Sequence, residues 1–288
     1  MPKNNQHITI LYPLCPSYSG STLLSLLLGN QDGIYGAGEL FIFSKHPERV
    51  DALQKGKCSC NGQGYQGCVF WTRVENYLVQ HNQLNLQALD VESENEAIFL
   101  EHNRALFKAI QQISGASIIV DNSKIVSRFV HLRKAGFKVV PVLLYRRPQA
   151  VVYSWTKRGH DWWDVAHYYP AFYKEVAQKI DYEKVLKIDY EKLVQSPTQT
   201  IADILKRVNL YPASISVDWQ DKEYHHLKGN PMRFEKTTQL KLSNQWKTQV
   251  SKRQAFWIKL LAFPVKIDRY CLYWFWERFV VLFTWKRY

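Results

Sequence analysis

The sequence predicts a three-layer α/β fold in which a central parallel sheet is flanked by helices. Three observations predict it. Four short apolar runs are each closed by Pro or a polar residue, helical patterns separate them, and small residues stand where the first run gives way to a helix. Strands that alternate with helices build a parallel sheet covered on both faces.

The first strand is read over His7 to Leu14, bounded by Pro13 and Pro16. Ser19-Gly20-Ser21-Thr22 then turns the chain into the helix-forming run Leu23 to Leu28. A helical pattern over Asn95 to Ile113 leads to the second strand, Ser117 to Asp121. Another over Ile125 to Ala135 leads to the third, Lys138 to Tyr145. Ala150 to Lys157 is helical, Lys184 to Asp189 is a weaker fourth strand, and Pro197 to Val208 is helical again. No internal repeat and no linker rich in Pro, Gly or Ser divides the chain. Residues 1–254 therefore read as one α/β domain, followed by an aromatic and basic helical extension over 255–288.

With 288 residues, 46% of them hydrophobic, the chain has the material for a sizeable core, which excludes a disordered protein. The 38 Lys and Arg against 25 Asp and Glu give a net +13, which favours an anionic partner. Residues 228–288 hold 13 of the basic and 3 of the acidic residues, a net +10, so most of the excess lies near the end. The opening MPKNNQHITILYPL has no long apolar core and no small-residue cleavage site, so no export is expected and a cytoplasmic location is. No apolar run reaches the ~20 residues of a membrane span; the nearest, Tyr270 to Trp285, contains Glu277 and Arg278. Twelve aromatics in residues 255–288 leave three readings of the extension. It packs on the domain, lies as an interfacial helix on an anionic membrane surface at the inner face of a bilayer, or forms a homodimer contact.

In such sheets the ligand lies beyond the carboxyl ends of the strands. Ser17-Tyr18-Ser19-Gly20-Ser21-Thr22 puts small residues at a helix start, where unpaired N–H groups and the helix dipole favour a phosphate. The plainer alternative is an ordinary turn with a Ser or Thr cap. It is not a Walker A loop, because Gly20 is followed by Ser21-Thr22 and not by Lys. After the third strand, Arg146 and Ser154, eight residues apart, are of the types that grip one phosphate, Arg through two parallel bonds and Ser through its hydroxyl. A solvated basic strand end is the plainer reading of that segment.

Taken together these segments resemble the superfamily of sulfotransferases that use 3′-phosphoadenosine 5′-phosphosulfate, in particular its bacterial members. The resemblance runs from residue 7 to about residue 247. Ser19 to Leu24, Gly38-Glu39-Leu40, the cysteines 58, 60 and 68 with Phe70-Trp71, Asp121 to Lys124, Arg146 to Ser154, Tyr190 to Val194, and Gly229 to Phe234 carry it. It implies a P-loop-like fold in which Tyr18, Ser19, Gly20, Ser21 and Thr22 hold the 5′-phosphosulfate. Arg146 and Ser154 would hold the 3′-phosphate, with Arg233 at the same end of the nucleotide. Lys124 would reach the sulfonate or the acceptor.

Sulfuryl transfer moves an SO3-like group in line between two oxygens, or to a nitrogen, and asks the protein for positioning, charge stabilisation and removal of one proton. No metal is expected for it. The family usually has Lys or Arg where this chain has Tyr18. Tyr18 donates its hydroxyl instead, Lys124 or Arg233 supplies the charge, or the chain binds nucleotide with weak catalysis; the remote cation is the preferred reading. Glu39 is the first candidate for the base, by resemblance to the Glu of a similar segment in sulfotransferases acting on protein tyrosine. His225 and His226 rank second. The acceptor, a hydroxyl or amine of a glycan, lipid or small metabolite, is not legible.

Cys58-Ser59-Cys60 and Cys68 fall short of the four ligands a structural zinc site requires, so a bridge between two of them or three buried thiols is expected. Two other functions compete with transfer. For a P-loop kinase the chain lacks the Gly-Lys and a clear magnesium-holding carboxylate, and for a nucleic-acid module it lacks any recognition motif.

Overall fold

The computed structural model describes residues 8–181, 185–235 and 240–266. In chain order the elements begin with β1 (Thr9–Leu14), α1 (Ser21–Gly29), β2 (Ile34–Gly38), α2 (Pro47–Lys55), α3 (Val69–Asn82) and α4 (Glu96–Ser114). They continue with β3 (Ile118–Asp121), α5 (Val126–Lys134), β4 (Lys138–Tyr145), α6 (Pro148–Thr156) and α7 (Trp162–Lys179). The last are β5 (Leu186–Asp189), α8 (Tyr190–Gln195), α9 (Pro197–Arg207), α10 (Trp246–Gln249) and α11 (Lys252–Lys266).

The five strands form one sheet in the order β2-β3-β1-β4-β5, and every pair is parallel. All six residues of β1 are buried, as expected of the middle strand of a sheet covered on both faces. Alternate residues face opposite layers. Leu11 joins Val120, Val142, Leu144 and Ile188 in a core closed by Leu23, Leu24 and Leu27 of α1 and by Ile201, Ile204 and Leu205 of α9. Tyr12 takes the other face, its ring 5.7 Å from that of Phe129 on α5. The unbroken leucine run of α1 follows from its position, since all nine of its residues are buried.

The four expected strands are all present, and β2 is a fifth. Its sequence Ile-Tyr-Gly-Ala-Gly has the glycines that weaken a strand signal, and they are there for packing. A Cβ on Gly36 would lie 2.7 Å from the carbonyl oxygen of Ser25 on α1. Helix and strand can approach that closely only through glycine.

The described chain divides into two compact units. One runs to Tyr145 and from Val185 to Leu242 and contains the sheet. The other takes Arg146 to Asp181 and the chain from Ser243, with Val152, Val165, Ala166 and Ile258 at its core. The boundary expected after residue 254 therefore falls inside α11, because Ile258 of that helix packs with α6 and α7. Residues 267–288 lie outside the described residues, and with them most of the expected aromatic extension. Among the described residues no helix is long and apolar enough to cross a membrane.

Candidate active site

β1 is the point at which strand order reverses, with β3 and β2 on one side and β4 and β5 on the other. The loop leaving β1 therefore opens at the switch point where such sheets hold ligands. Two of its residues adopt left-handed backbone, Tyr18 at φ 66° and Gly20 at φ 101°. Gly20 is required twice over, since a Cβ there would also come within 2.2 Å of Cδ2 of Tyr190.

No side chain caps the start of α1, and its first turn holds no acidic residue. The fully buried Ser19 presents an Oγ without a hydrogen-bond partner. An uncapped helix start beside an unsatisfied buried hydroxyl suits an anion. Burial pushes the Cys15 thiol at the foot of the loop up to about 12. Lys124 and a hydrogen bond from Ser21 pull it the other way, and Glu39 adds to the rise. The charges of Lys124 and Glu39 thus act at the phosphate-type loop.

Lys124 Nζ lies 2.6 Å from Glu39 Oε1, with both side chains about nine-tenths buried, and also donates to the Asn122 carbonyl at 3.0 Å. Lys124 sits in left-handed backbone at φ 65° between β3 and α5, and its neighbours hold it there. The Tyr12 hydroxyl donates to the Ile125 carbonyl at 2.9 Å and accepts from the Ile125 N–H at 3.1 Å. Ser123 Oγ accepts from the Phe41 N–H at 3.0 Å, tying this loop to the segment after Glu39, and itself donates to Asp121 Oδ1. The other carboxylate oxygen of Asp121 receives Nε of the fully buried Arg128 at 2.9 Å. The guanidinium of Arg128 is completed by the Val91 carbonyl at 2.7 Å, Glu92 at 2.9 Å and Asn103 Oδ1 at 2.9 Å. Burial opposes its charge, and the carboxylates of Asp121 and Glu92 more than compensate, so its pKa is raised.

Arg233 closes a second side. Its guanidinium donates to the Gly229 carbonyl and, at 3.3 Å, to that of Lys57, while its buried Nε has no partner. Burial lowers its pKa, and the charge of Glu39 is the largest influence holding it up. Glu39 therefore sits in the field of two cations. The same segment reaches the loop, where Asn230 N–H contacts Thr22 Oγ1 at 3.4 Å.

The histidines have other partners. His226 is buried and donates from Nε2 to the Gly36 carbonyl at 3.0 Å, and burial lowers its pKa to about 4. His225 has Nδ1 3.3 Å from Cys68 Sγ and stacks on Phe70 at 5.1 Å. Cys58, Cys60 and Cys68 are unbridged. Of the residues expected from sequence, the structure brings together Glu39, Lys124, Arg233 and the loop from Tyr18 to Thr22, and places His225 at the cysteines. In the second unit, Ser154 Oγ donates to the Ala150 carbonyl at 2.8 Å and the Arg146 carbonyl accepts from Tyr169 at 2.7 Å. Among the aromatics of α7, Tyr169 and Tyr173 are buried, whereas Trp163 and Tyr168 are exposed.

Tyr12, Arg128 and Tyr190 were not legible as supports of the site. Arg128 carried a faint signal, an arginine among the buried Val126, Phe129 and Leu132 of α5 and seven residues after the strand-ending Asp121.

No protein-family model and no curated protein matches the chain. Solved structures do. It superposes on the sulfotransferase domain of the Synechococcus PCC 7002 olefin synthase with a TM-score of 0.58 at 16% identity, covering 93% of this chain and 98% of that one. The sulfotransferase domain from the curacin biosynthetic pathway gives 0.53 at 15% identity, covering 90% and 97%. The expectation from the sequence motifs and the match over nearly whole chains agree: this chain has the α/β fold of the sulfotransferase domains.

Proposed function

We propose that the chain is a sulfotransferase that moves a sulfonate group from 3′-phosphoadenosine 5′-phosphosulfate to a hydroxyl or amine. The observation that carries this reading is the Glu39–Lys124 pair at 2.6 Å, electrostatically coupled to the loop after β1. The loop suits the donor's anionic end, because Ser19 Oγ is buried without a partner and Gly20 leaves room that a side chain would close against Tyr190. The bound donor would supply the activated sulfonate. Ser19 to Thr22 would hold its phosphosulfate through hydroxyls and the helix start. Lys124 and Arg233 would offset charge on the leaving phosphate, the part that Lys or Arg in the loop usually plays and for which Tyr18 brings a hydroxyl but no charge. Glu39 would take the acceptor's proton. Oε1 is held by Lys124, so the proton goes to the other carboxylate oxygen.

Melting curves with adenosine 3′,5′-bisphosphate, ATP with magnesium, and an oligonucleotide test the donor class. Stabilisation by the bisphosphate is expected; a shift with ATP and magnesium alone would replace this reading with a kinase. Transfer of label from the donor into an extract of metabolites, glycans and lipids then identifies the acceptor.

A further inference from the structure

We propose that Cys58, Cys60, Cys68 and His225 form a structural zinc site. Their ligand atoms all lie within 4.8 Å of one another. Zinc bound tetrahedrally at about 2.3 Å from sulfur and about 2.05 Å from nitrogen sets its ligands about 3.8 Å apart for two sulfurs and about 3.6 Å for sulfur and nitrogen. Cys58 and Cys68 are 3.6 Å apart, and Cys68 is 3.3 Å from His225 Nδ1. The widest pair closes by at most about 1 Å on binding. Three thiolates and one imidazole form a complete ligand set for zinc, with no position left for a reacting water.

The surroundings are built for such a centre. The chain between the cysteines folds into a tight knuckle, in which Cys58 N–H donates to the Gly62 carbonyl at 2.9 Å and Asn61 N–H to the Cys58 carbonyl at 2.8 Å. A Cβ on Gly62 would lie 2.1 Å from the Gly67 carbonyl oxygen, so glycine is needed for the chain to turn back. The histidine arrives from more than 150 residues away and is fixed by its backbone. Trp71 Nε1 donates to the His225 carbonyl at 2.6 Å, Ser59 Oγ to that of Tyr224 at 2.5 Å, and His226 N–H to Ser59 Oγ at 2.8 Å. With Nδ1 facing the sulfurs, Nε2 turns outward and lies 3.9 Å from the carboxylate of the exposed Glu223, on the side where a metal-bound histidine commonly meets an outer acceptor.

Two more groups fit a centre of three thiolates and one Zn2+, which has a net charge of −1. The Arg233 guanidinium donates to the carbonyl of Lys57, next to Cys58. The Tyr35 hydroxyl is buried with no partner, and its ring stacks at 4.5 Å on Phe70, which in turn stacks on His225. Zinc takes cysteine as thiolate and histidine as neutral imidazole, so binding is accompanied by release of protons. The site would staple the knuckle to the strand of chain that runs on to Gly229 and Arg233.

Zinc content of the full chain, purified without chelator, tests the site, together with the absorption of the cobalt-substituted protein. About one zinc per chain is expected, with a cobalt spectrum showing thiolate charge transfer and tetrahedral ligand-field bands. Cys68→Ser and His225→Ala should each cut zinc affinity at least ~10-fold. Should either variant fail to fold, the cobalt spectrum of the unaltered chain still decides. A chain that purifies without metal and gives no cobalt-thiolate band, or one in which mass spectrometry under non-reducing conditions finds a Cys58–Cys68 disulfide, would overturn the proposal. Unchanged zinc affinity in His225→Ala would overturn the assignment of the fourth ligand.

Discussion

Lys124 and Glu39, 85 residues apart in sequence, form an ion pair of 2.6 Å at the carboxyl ends of β3 and β2. The adjacency of those two strands in the sheet makes the meeting possible. Replacing Glu39 with Gln keeps the shape and removes the base. Turnover of the labelled donor should fall about 100- to 10,000-fold, while the bisphosphate product still raises the melting temperature. Full turnover in Glu39→Gln would remove Glu39 from the mechanism.

Tyr12 reaches the same site from β1. Tyr12→Phe leaves the N–H and carbonyl of Ile125 without their hydroxyl partner in a partly buried setting. A loss of about 1–3 kcal/mol in urea unfolding is expected. Turnover should fall as well, because the Tyr12 hydroxyl anchors Ile125, the residue after Lys124. Stability lost with turnover intact would show that the Tyr12 bonds do not position Lys124.

Arg128 and Asp121 are both fully buried, so removing the arginine leaves Asp121 charged and without its cation. Arg128→Met should cost about 3–5 kcal/mol. The double substitution Arg128→Met with Asp121→Asn should recover part of that loss, since it removes both charges of this pair and leaves only the less buried Glu92 without its cation. Denaturant unfolding of the two single variants and the double gives the coupling directly.

His102 gives the fold a dependence on acid. Its Nδ1 accepts from the Asp90 N–H at 2.8 Å, a bond that protonation abolishes, and burial lowers its pKa from 6.5. Glu101 and Asp90 act to raise it and Lys45 to lower it further. The unfolded chain then binds the proton more readily than the folded one. The stabilisation is therefore complete above about pH 6.5 and is lost as pH falls through the lowered value. His102→Asn keeps an acceptor that cannot be protonated in this range. Its stability should fall less than that of the unaltered chain when both are titrated from pH 7 to pH 4.

The sequence by itself determined the α/β class, four of the five strands, and the loop from Tyr18 to Thr22, because these are local. Apolar runs, strand-closing residues and a small-residue turn are written within ten residues of one another. It also singled out Glu39, Lys124 and Arg233 through the motifs around them. β2 escaped because its glycines serve the contact with Ser25 and not strand propensity. Only the tertiary structure decided which charges meet. Parallel order brings the ends of β2 and β3 together, so Glu39 finds Lys124, and the return of the chain at residues 224–226 carries His225 to the three cysteines. Pairings across 85 and 157 residues are set by sheet order and loop packing, which no local spacing records.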